Sequence, residues 1–476
     1  MGMHARRWGL AVLALLALPA LAAPASDGGS AAVPTPAQVD DRLIQGRAVE
    51  AVIWGIPAVN AELMAQEALK AGGEINQIVY WSRPADWKNQ TLTPNPDSIY
   101  FMSFYSTKDV GPLVIEVPPA VGGSFAGNIV NVWQMPLEDA GPEGADKGKG
   151  GKYLLLPPGY TPKPPAGYIP LRSDTYSGFA LLRSNLASHS EADVAAAVAY
   201  GKRLKIYPLK EASHPPATRF EDVAGVVYDS TIPYDLRFFQ TLDRVIQREP
   251  WLQRDRAMID QLRSLGIEKG KPFQPDARIQ ALLDAGAAAA QVWLEQQYSP
   301  GFAPFYPGSH WGPPAVPVFV EAQQTGYARP DSYPVDARGL TYTLGFTGIK
   351  RLGTAQFYLM ANRDRSGVEL DGARTYRLRV PADVPVKRYW SVTVYDRATH
   401  TLIRNFPYSS RASHTATRNA DGTVDVFFGP KAPTGKEANW IPTSPSGKFE
   451  LLFRAYGPEP AFFEKTWRLP DVERID

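Results

Sequence analysis

Proline punctuates this chain from one end to the other: 44 prolines, joined by 40 glycines, break it into short runs. Each proline fixes its own φ, removes a backbone donor and pushes the residue before it toward extended geometry. Between the breaks lie runs of β-branched and aromatic residues, a pattern that predicts many short strands. With 11% aromatic, 44% hydrophobic and 21% charged residues, the chain reads as loop-rich globular β architecture rather than disorder. Its 476 residues suffice for two or three domains, each with its own core.

The first residues carry an address. Arg6 and Arg7 precede an apolar run from Leu10 to Leu21, and Ala20-Leu21-Ala22 supplies small residues where a signal peptidase cuts. The run is shorter than the roughly 20 residues that span a bilayer. A signal peptide over residues 1–22 is expected, with export to the periplasm or beyond after cleavage near Ala22 and no transmembrane segment. There is no cysteine, which excludes disulfides, thiol catalysis and a lipoprotein anchor. The chain has 50 Lys and Arg against 48 Asp and Glu, and the two leader arginines account for the difference. A near-neutral mature protein without basic clusters is not built for nucleic acid or for electrostatic membrane attachment.

Along the mature chain the apolar period changes several times. After a Ser/Gly/Ala/Pro linker, residues 36–75 have helical spacing, with Pro36 suited to N1 and Pro57 expected to kink or divide the helix. Residues 76–189 hold five strand-like runs, at Ser98–Tyr105, Leu113–Val117, Asn128–Trp133, Tyr153–Leu156 and Thr175–Arg183. Residues 190–300 return to helical spacing, and 301–326 form a Pro/aromatic connector. From 327 to 476 the pattern is mainly β, with strands at Thr375–Val380, Tyr389–Asp396, Val424–Phe428 and Phe449–Tyr456 and a tight hairpin ending at Gly422. The expected fold is multi-domain and mainly β with an α-helical portion.

Chemical motifs are sparse. Gly122-Gly123-Ser124 approaches a nucleophile elbow, but a strand follows where a helix is required. Gly148 to Lys152 lacks the spacing of a phosphate loop. The histidines show no metal-ligand spacing, and Asp364–Asp371 lacks the dense oxygen ligands of a calcium loop, so neither metal nor cofactor is expected. What stands out is Thr93-Pro94-Asn95-Pro96-Asp97-Ser98-Ile99-Tyr100, where two prolines brace an amide and a carboxylate before an aromatic strand. Asp97 could cap its own turn, hold a ligand, or act with Asp139 or Asp396 as a carboxylate pair; pairs about 5–9 Å apart cleave glycosidic bonds. On the strand from Tyr389 to Asp396, Trp390, Val392, Val394 and Asp396 share a face that reads as buried, and Tyr389, Ser391, Thr393 and Tyr395 share one that reads as half-polar.

These segments carry a family resemblance. TPNPDSIY, the VIEVPP strand and KGGKYLLLPPGY resemble the domain of unknown function 1254. RTYRLRV, RYWSVTVYD, Asn405, the Asn419–Gly422 hairpin, Asn439-Trp440-Ile441-Pro442 and Phe449–Tyr456 resemble the domain of unknown function 1214. The resemblance implies a helical portion, an immunoglobulin-like sandwich and a jelly-roll-like sandwich, without an established reaction. Matching positions are Asn95, Asp97 and Tyr100 in the first motif, and Trp390, Tyr395, Asp396, Asn439 and Arg454 in the second. Relatives carry an acid about where Asn131 stands, so a mechanism needing a carboxylate there is not expected here. The leading expectation is binding of a small or carbohydrate-like molecule between the sandwiches by Asn95, Asp97, Tyr100, Trp133, Tyr395, Asn439 and Arg454. Two alternatives stand beside it: a periplasmic hydrolase of ester, amide or glycosidic bonds using Asp97, Asp139 and Asp396, and a structural envelope protein. No nucleic-acid partner is expected, and the sequence leaves an oligomer open.

Overall fold

Thr35 opens the first helix as half of a capping box: its hydroxyl accepts from the Gln38 amide at 3.3 Å, and the Gln38 side chain accepts from the Thr35 amide at 2.9 Å. The computed structural model describes residues 34–345, 348–351 and 355–476, so the expected leader lies outside the described residues. Helix α1 (Pro36–Lys70) runs through Pro57 as one element, so the proline does not divide it. A proline inside a helix frees a carbonyl one turn back. Here Arg338 donates to the nearby Trp54 carbonyl at 2.7 Å, and Gly339 packs against the carbonyl of Ile53. From Ala51 to Glu62 every side chain of α1 is buried. Among the described helices α1 is long and apolar enough to cross a membrane, but 78% of its most apolar window is buried inside the protein, as in a core helix.

Twelve short strands follow in the first half. They are β1 (Ile78–Tyr80), β2 (Asn89–Gln90), β3 (Ser98–Ser106), β4 (Leu113–Val117), β5 (Phe125–Asn131), β6 (Pro136–Ala140), β7 (Gly151–Leu156), β8 (Ile169–Arg172), β9 (Ser177–Asn185), β10 (Lys205–Pro208), β11 (Phe220–Asp222) and β12 (Tyr228–Asp229). Six of them form a sheet in the order β11-β1-β3-β9-β5-β6, and four form a second in the order β10-β4-β7-β8. The two sheets share a core that includes Ile99, Phe101, Ile115, Tyr153, Leu155 and Leu182. The opposite face of the six-stranded sheet, with Tyr100, Met102, Phe104, Phe179 and Leu181, packs in a second core with α1 and the helix Leu236–Arg248. With both faces covered, β3 and β9 lose the polar alternation that marks a half-exposed strand.

Helices α2 (Glu191–Gly201), α3 (Leu236–Arg248), α4 (Met258–Ser264) and α5 (Ala277–Tyr298) occupy the region read as helical, although β10, β11 and β12 also come from it. The small residues of α5 allow close approach: a Cβ on Gly286 would stand 2.5 Å from Ala48 Cβ of α1. Two further helices, α6 (Pro317–Gln324) and α7 (Val335–Thr343), fall where a connector and the start of the β region were expected.

The second β region contains β13 (Gln356–Ala361), β14 (Tyr376–Val380), β15 (Val386–Asp396), β16 (Ser410–Ala412), β17 (Val424–Gly429), β18 (Trp440–Pro442), β19 (Phe449–Pro458) and β20 (Glu473–Arg474), with the short helix α8 (Pro460–Phe463) before β20. They form sheets β13-β19-β15-β16 and β18-β17-β14-β20 around one core. Trp390, Val392 and Val394 point into that core with Leu451 and Phe453. The opposite face, with Tyr389, Tyr395, Arg454 and Tyr456, is buried against the Thr93–Ser98 segment of the first region.

Candidate functional site

The proline-braced segment is where the two β regions meet. Thr93 has a left-handed φ of 38°, and its amide donates to His400 O at 2.7 Å, so the entry to the segment is pinned despite the strain of a β-branched residue there. Pro94 and Pro96 then brace a turn whose carbonyls and side chains are bound by the second region. Tyr395 donates to Pro94 O at 2.6 Å, Arg454 to Thr93 O at 2.9 Å, and Tyr389 to Asp97 O at 3.2 Å. Asn95 closes its own turn by accepting from the Asp97 amide at 3.0 Å, while its side-chain amide donates to Tyr456 Oη at 2.8 Å and Tyr389 Oη at 3.1 Å. Burial pushes the phenols of Tyr389 and Tyr456 well above their ordinary range, so both stay protonated.

One side of this segment faces a cavity of about 120 Å³. Tyr100, Met102, Phe179, Leu181 and Arg183 from β3 and β9 form one wall; Gln356, Tyr358, Met360, Leu452 and Arg454 from β13 and β19 form the other. Asn60 and Met64 of α1 and Pro313 to Ala315 also line it. Most of the wall is apolar. Its polar groups are rich in donors: Nε and Nη1 of Arg183, Nε of Arg454 and Nδ2 of Asn60 are buried without a hydrogen-bond partner. Arg454 is anchored by bonds to Thr393 Oγ1 at 2.8 Å, to Thr93 O and to Tyr395. Arg183 lies 5.6 Å from the centre of the Tyr100 ring. Both arginines are buried, at 6% and 1% exposure, and among the described residues neither has a carboxylate within ion-pair distance.

On its other side the segment presents the Asp97 carboxylate. One oxygen accepts from Ser410 Oγ at 2.7 Å, and the other lies 3.2 Å from His189 Nε2. Strand pairing explains the meeting. Ser98 of β3 is in register with Asn185 of β9, so His189 just beyond β9 turns back toward Asp97, while β16 and its following loop bring Ser410 and His414. The His189 and His414 rings are 5.2 Å apart. Burial alone would raise the Asp97 pKa, but hydrogen bonds from His189 and Ser410 and the two nearby imidazoles hold it below its ordinary value. Burial likewise lowers the pKa of His414.

Of the residues expected from sequence, Asn95, Tyr100 and Arg454 line the cavity and Tyr395 supports them from behind. Asp97 belongs to the imidazole cluster instead. Trp133 is elsewhere, packed 4.6 Å from Trp54 and 5.4 Å from Arg338 among the helices. Asn439 clips the backbone of Thr417 with bonds of 2.8 and 2.7 Å, a purely local bracket. The expected carboxylate pairs do not form. Asp139 accepts from Asn128 and from the amides of Lys350 and Arg351 at 2.8 to 3.0 Å. It sits three strands from β3 and level with Met102, which puts it on the order of 20 Å from Asp97 at ordinary strand spacings. Asp396 caps the amides of Ala398 and Thr399 at the end of β15 far from Tyr389, again on the order of 20 Å away. Asp364 similarly folds back on the amides of Ser366 and Val368.

Arg183, Tyr358, Tyr456, His189, His414 and Ser410 were not picked out from sequence as site residues. The two arginines did leave a mark, since each interrupts an otherwise apolar strand, FALLRS in β9 and LLFRAY in β19. His189 and His414 left none, because spacing rules see only neighbours along the chain.

The family model of the protein of unknown function DUF1254 matches residues 75–208, and that of the protein of unknown function DUF1214 matches residues 355–460. No curated protein matches the sequence. Among solved structures, the VPA0106 protein from Vibrio parahaemolyticus is similar at a TM-score of 0.56 and 17% identity, over 92% of this chain and 100% of that one. An uncharacterised protein from Burkholderia cenocepacia follows at a TM-score of 0.42 and 13% identity, over 92% and 96%. The first likeness concerns fold alone. Both domain types are thus present in one chain, DUF1254 followed by DUF1214.

Proposed function

We propose that this is an exported binding protein that holds a small organic acid in the cavity between its two β regions. The observation that carries this reading is the pair of guanidiniums, Arg183 and Arg454, buried in the cavity wall with free donors and no facing carboxylate among the described residues. An isolated buried charge costs several kcal/mol, and a carboxylate ligand with two acceptor oxygens matches the planar guanidinium fork. Met102, Phe179, Leu181, Met360 and Leu452 suit an apolar body better than a sugar. An engineered cavity of about 150 Å³ holds benzene, so a space of about 120 Å³ fits a compact acid of similar bulk.

A thermal-shift series tests the reading. Compact aromatic and branched aliphatic carboxylates should raise the melting temperature, by the equivalent of about 2.7 kcal/mol at a hundredfold excess over Kd. The matching amides and alcohols should not, and Arg183→Met should remove the effect. Equal stabilisation by the uncharged analogues, or none by any acid, would count against it.

Export is supported by the basic start, apolar run and small residues before Ala23. The mass of protein from a periplasmic extract should correspond to a chain beginning near Ala23; an uncleaved chain confined to the cytosol would oppose this. The two pairs of packed sheets support the finer assignment to an immunoglobulin-like and a jelly-roll-like sandwich.

A further inference from the structure

We propose that Asp97, His189 and His414 form a binding site for a first-row divalent transition-metal ion, of the kind Zn²⁺ or Co²⁺ would fill. The proposal is independent of the cavity and its ligand. One ligand atom from each residue can be chosen so that all three lie within 4.8 Å of one another. The Asp97 oxygen and His189 Nε2 are 3.2 Å apart. In a tetrahedral site with bonds of about 2.0–2.1 Å, neighbouring ligand atoms stand about 3.3 Å apart, so this edge is already at metal-binding length. With all three atoms within 4.8 Å, the third corner needs His414 to draw in by at most about 1.5 Å.

Three further features distinguish the cluster from a chance surface group. Asp97 is 1% exposed and its backbone is locked between Asn95 and Tyr389, so the carboxylate is held rather than swinging. Its second oxygen is bound by Ser410 Oγ at 2.7 Å, the outer contact that orients a ligating carboxylate. Nε2 of His414 is shut off from solvent without a hydrogen-bond partner, a ring nitrogen left unsatisfied by the protein. Two imidazoles and one carboxylate select a transition metal over Mg²⁺ or Ca²⁺, which take oxygen ligands. Because His189 is exposed, the remaining coordination positions face solvent and would hold water, the open arrangement of a metal that can receive a further molecule.

The experiment uses the mature full-length chain without an affinity tag, stripped with chelator and titrated with Zn²⁺ by calorimetry and with Co²⁺ by visible absorption. One ion per chain is expected, with d–d bands of a low-coordinate Co²⁺ site. Loss of an outer-shell partner commonly weakens metal binding about 10–100-fold, so Ser410→Ala should fall in that range and His189→Ala or His414→Ala should lose at least about 100-fold. Both histidines lie outside the cores, so these variants should keep the wild-type circular dichroism spectrum. His214→Ala, on an exposed turn, should bind as the wild type does. No saturable binding of either ion, or binding that survives both His189→Ala and His414→Ala, overturns the proposal.

Discussion

Arg183 and Arg454 are both buried guanidiniums on facing sheets, yet the protein treats them differently. Arg454 is woven into the junction through Thr393, Thr93 and Tyr395, whereas Arg183 keeps two buried nitrogens unpartnered. Removing the first should therefore cost stability, and removing the second should not. Arg454→Met is expected to lower the unfolding free energy by about 3 kcal/mol, since hydrogen bonds to charged groups are worth about 1.5–3 kcal/mol each and orphaned acceptors remain. Arg183→Met should leave the free protein as stable or stabilise it by about 1 kcal/mol, because a buried guanidinium with two unpartnered nitrogens and no carboxylate gives way to an apolar chain of similar reach. Urea denaturation of the two variants separates these outcomes; equal losses would mean that Arg183 is structural. At this scale the sequence was only partly readable. Asn95 and Tyr100 announced themselves through the prolines around them, but a single arginine in a strand says nothing about whether an acid faces it.

Among the elements, the nine expected strands were found, but the shorter strands and the connectors went unread, for a physical reason. β4 was expected and found at Leu113–Val117, and β3, β14, β15, β17 and β19 begin or end within a few residues of their expected bounds. Continuous apolar runs bounded by Pro and Gly permit little else. Helices α6 and α7 were missed because Pro313, Pro314, Pro317, Pro330 and Pro334 read as breaks, whereas Pro317 in fact starts a helix. Pro57 misled in the opposite direction, because tertiary contacts around Ile53 and Trp54 tolerate it inside α1. The contact of α5 with α1 gives a clear test. Alanine is the better helix former by about 1 kcal/mol, but a Cβ at Gly286 would overlap Ala48. Overpacking costs about 1–3 kcal/mol and should win, so Gly286→Ala should lower the melting temperature. A rise would mean that the helices separate freely. Glu138 supplies a pH test on β6. Burial opposes its charge, but the hydrogen bond from Arg351 and the nearby Lys350 outweigh it and lower its pKa. A lowered folded-state value gives stability that is present above the unfolded pKa and lost as pH falls through the folded one. Glu138→Gln should thus flatten the acid limb of the stability profile; an unchanged limb would remove Glu138 from that account.

At the level of the molecule, the two family domains are not independent beads. Hydrogen bonds cross between them at Asn95 to Tyr456, Tyr395 to Pro94, Ser410 to Asp97 and Thr401 to Gln90. We expect β3 and β19 to lose amide protection through one shared opening, seen in hydrogen exchange as equal free energies for the two strands. A β19 that exchanges far more readily would show that the second region opens alone. The order of the domains was legible from their motifs; their mode of contact was not, since it rests on pairs of residues hundreds of positions apart. That contact has a kinetic corollary. An occupant held at once by walls from both β regions must give up both sets of contacts to leave. Dissociation should then be slow enough for a natural guest to ride through gentle isolation and be identified by its mass.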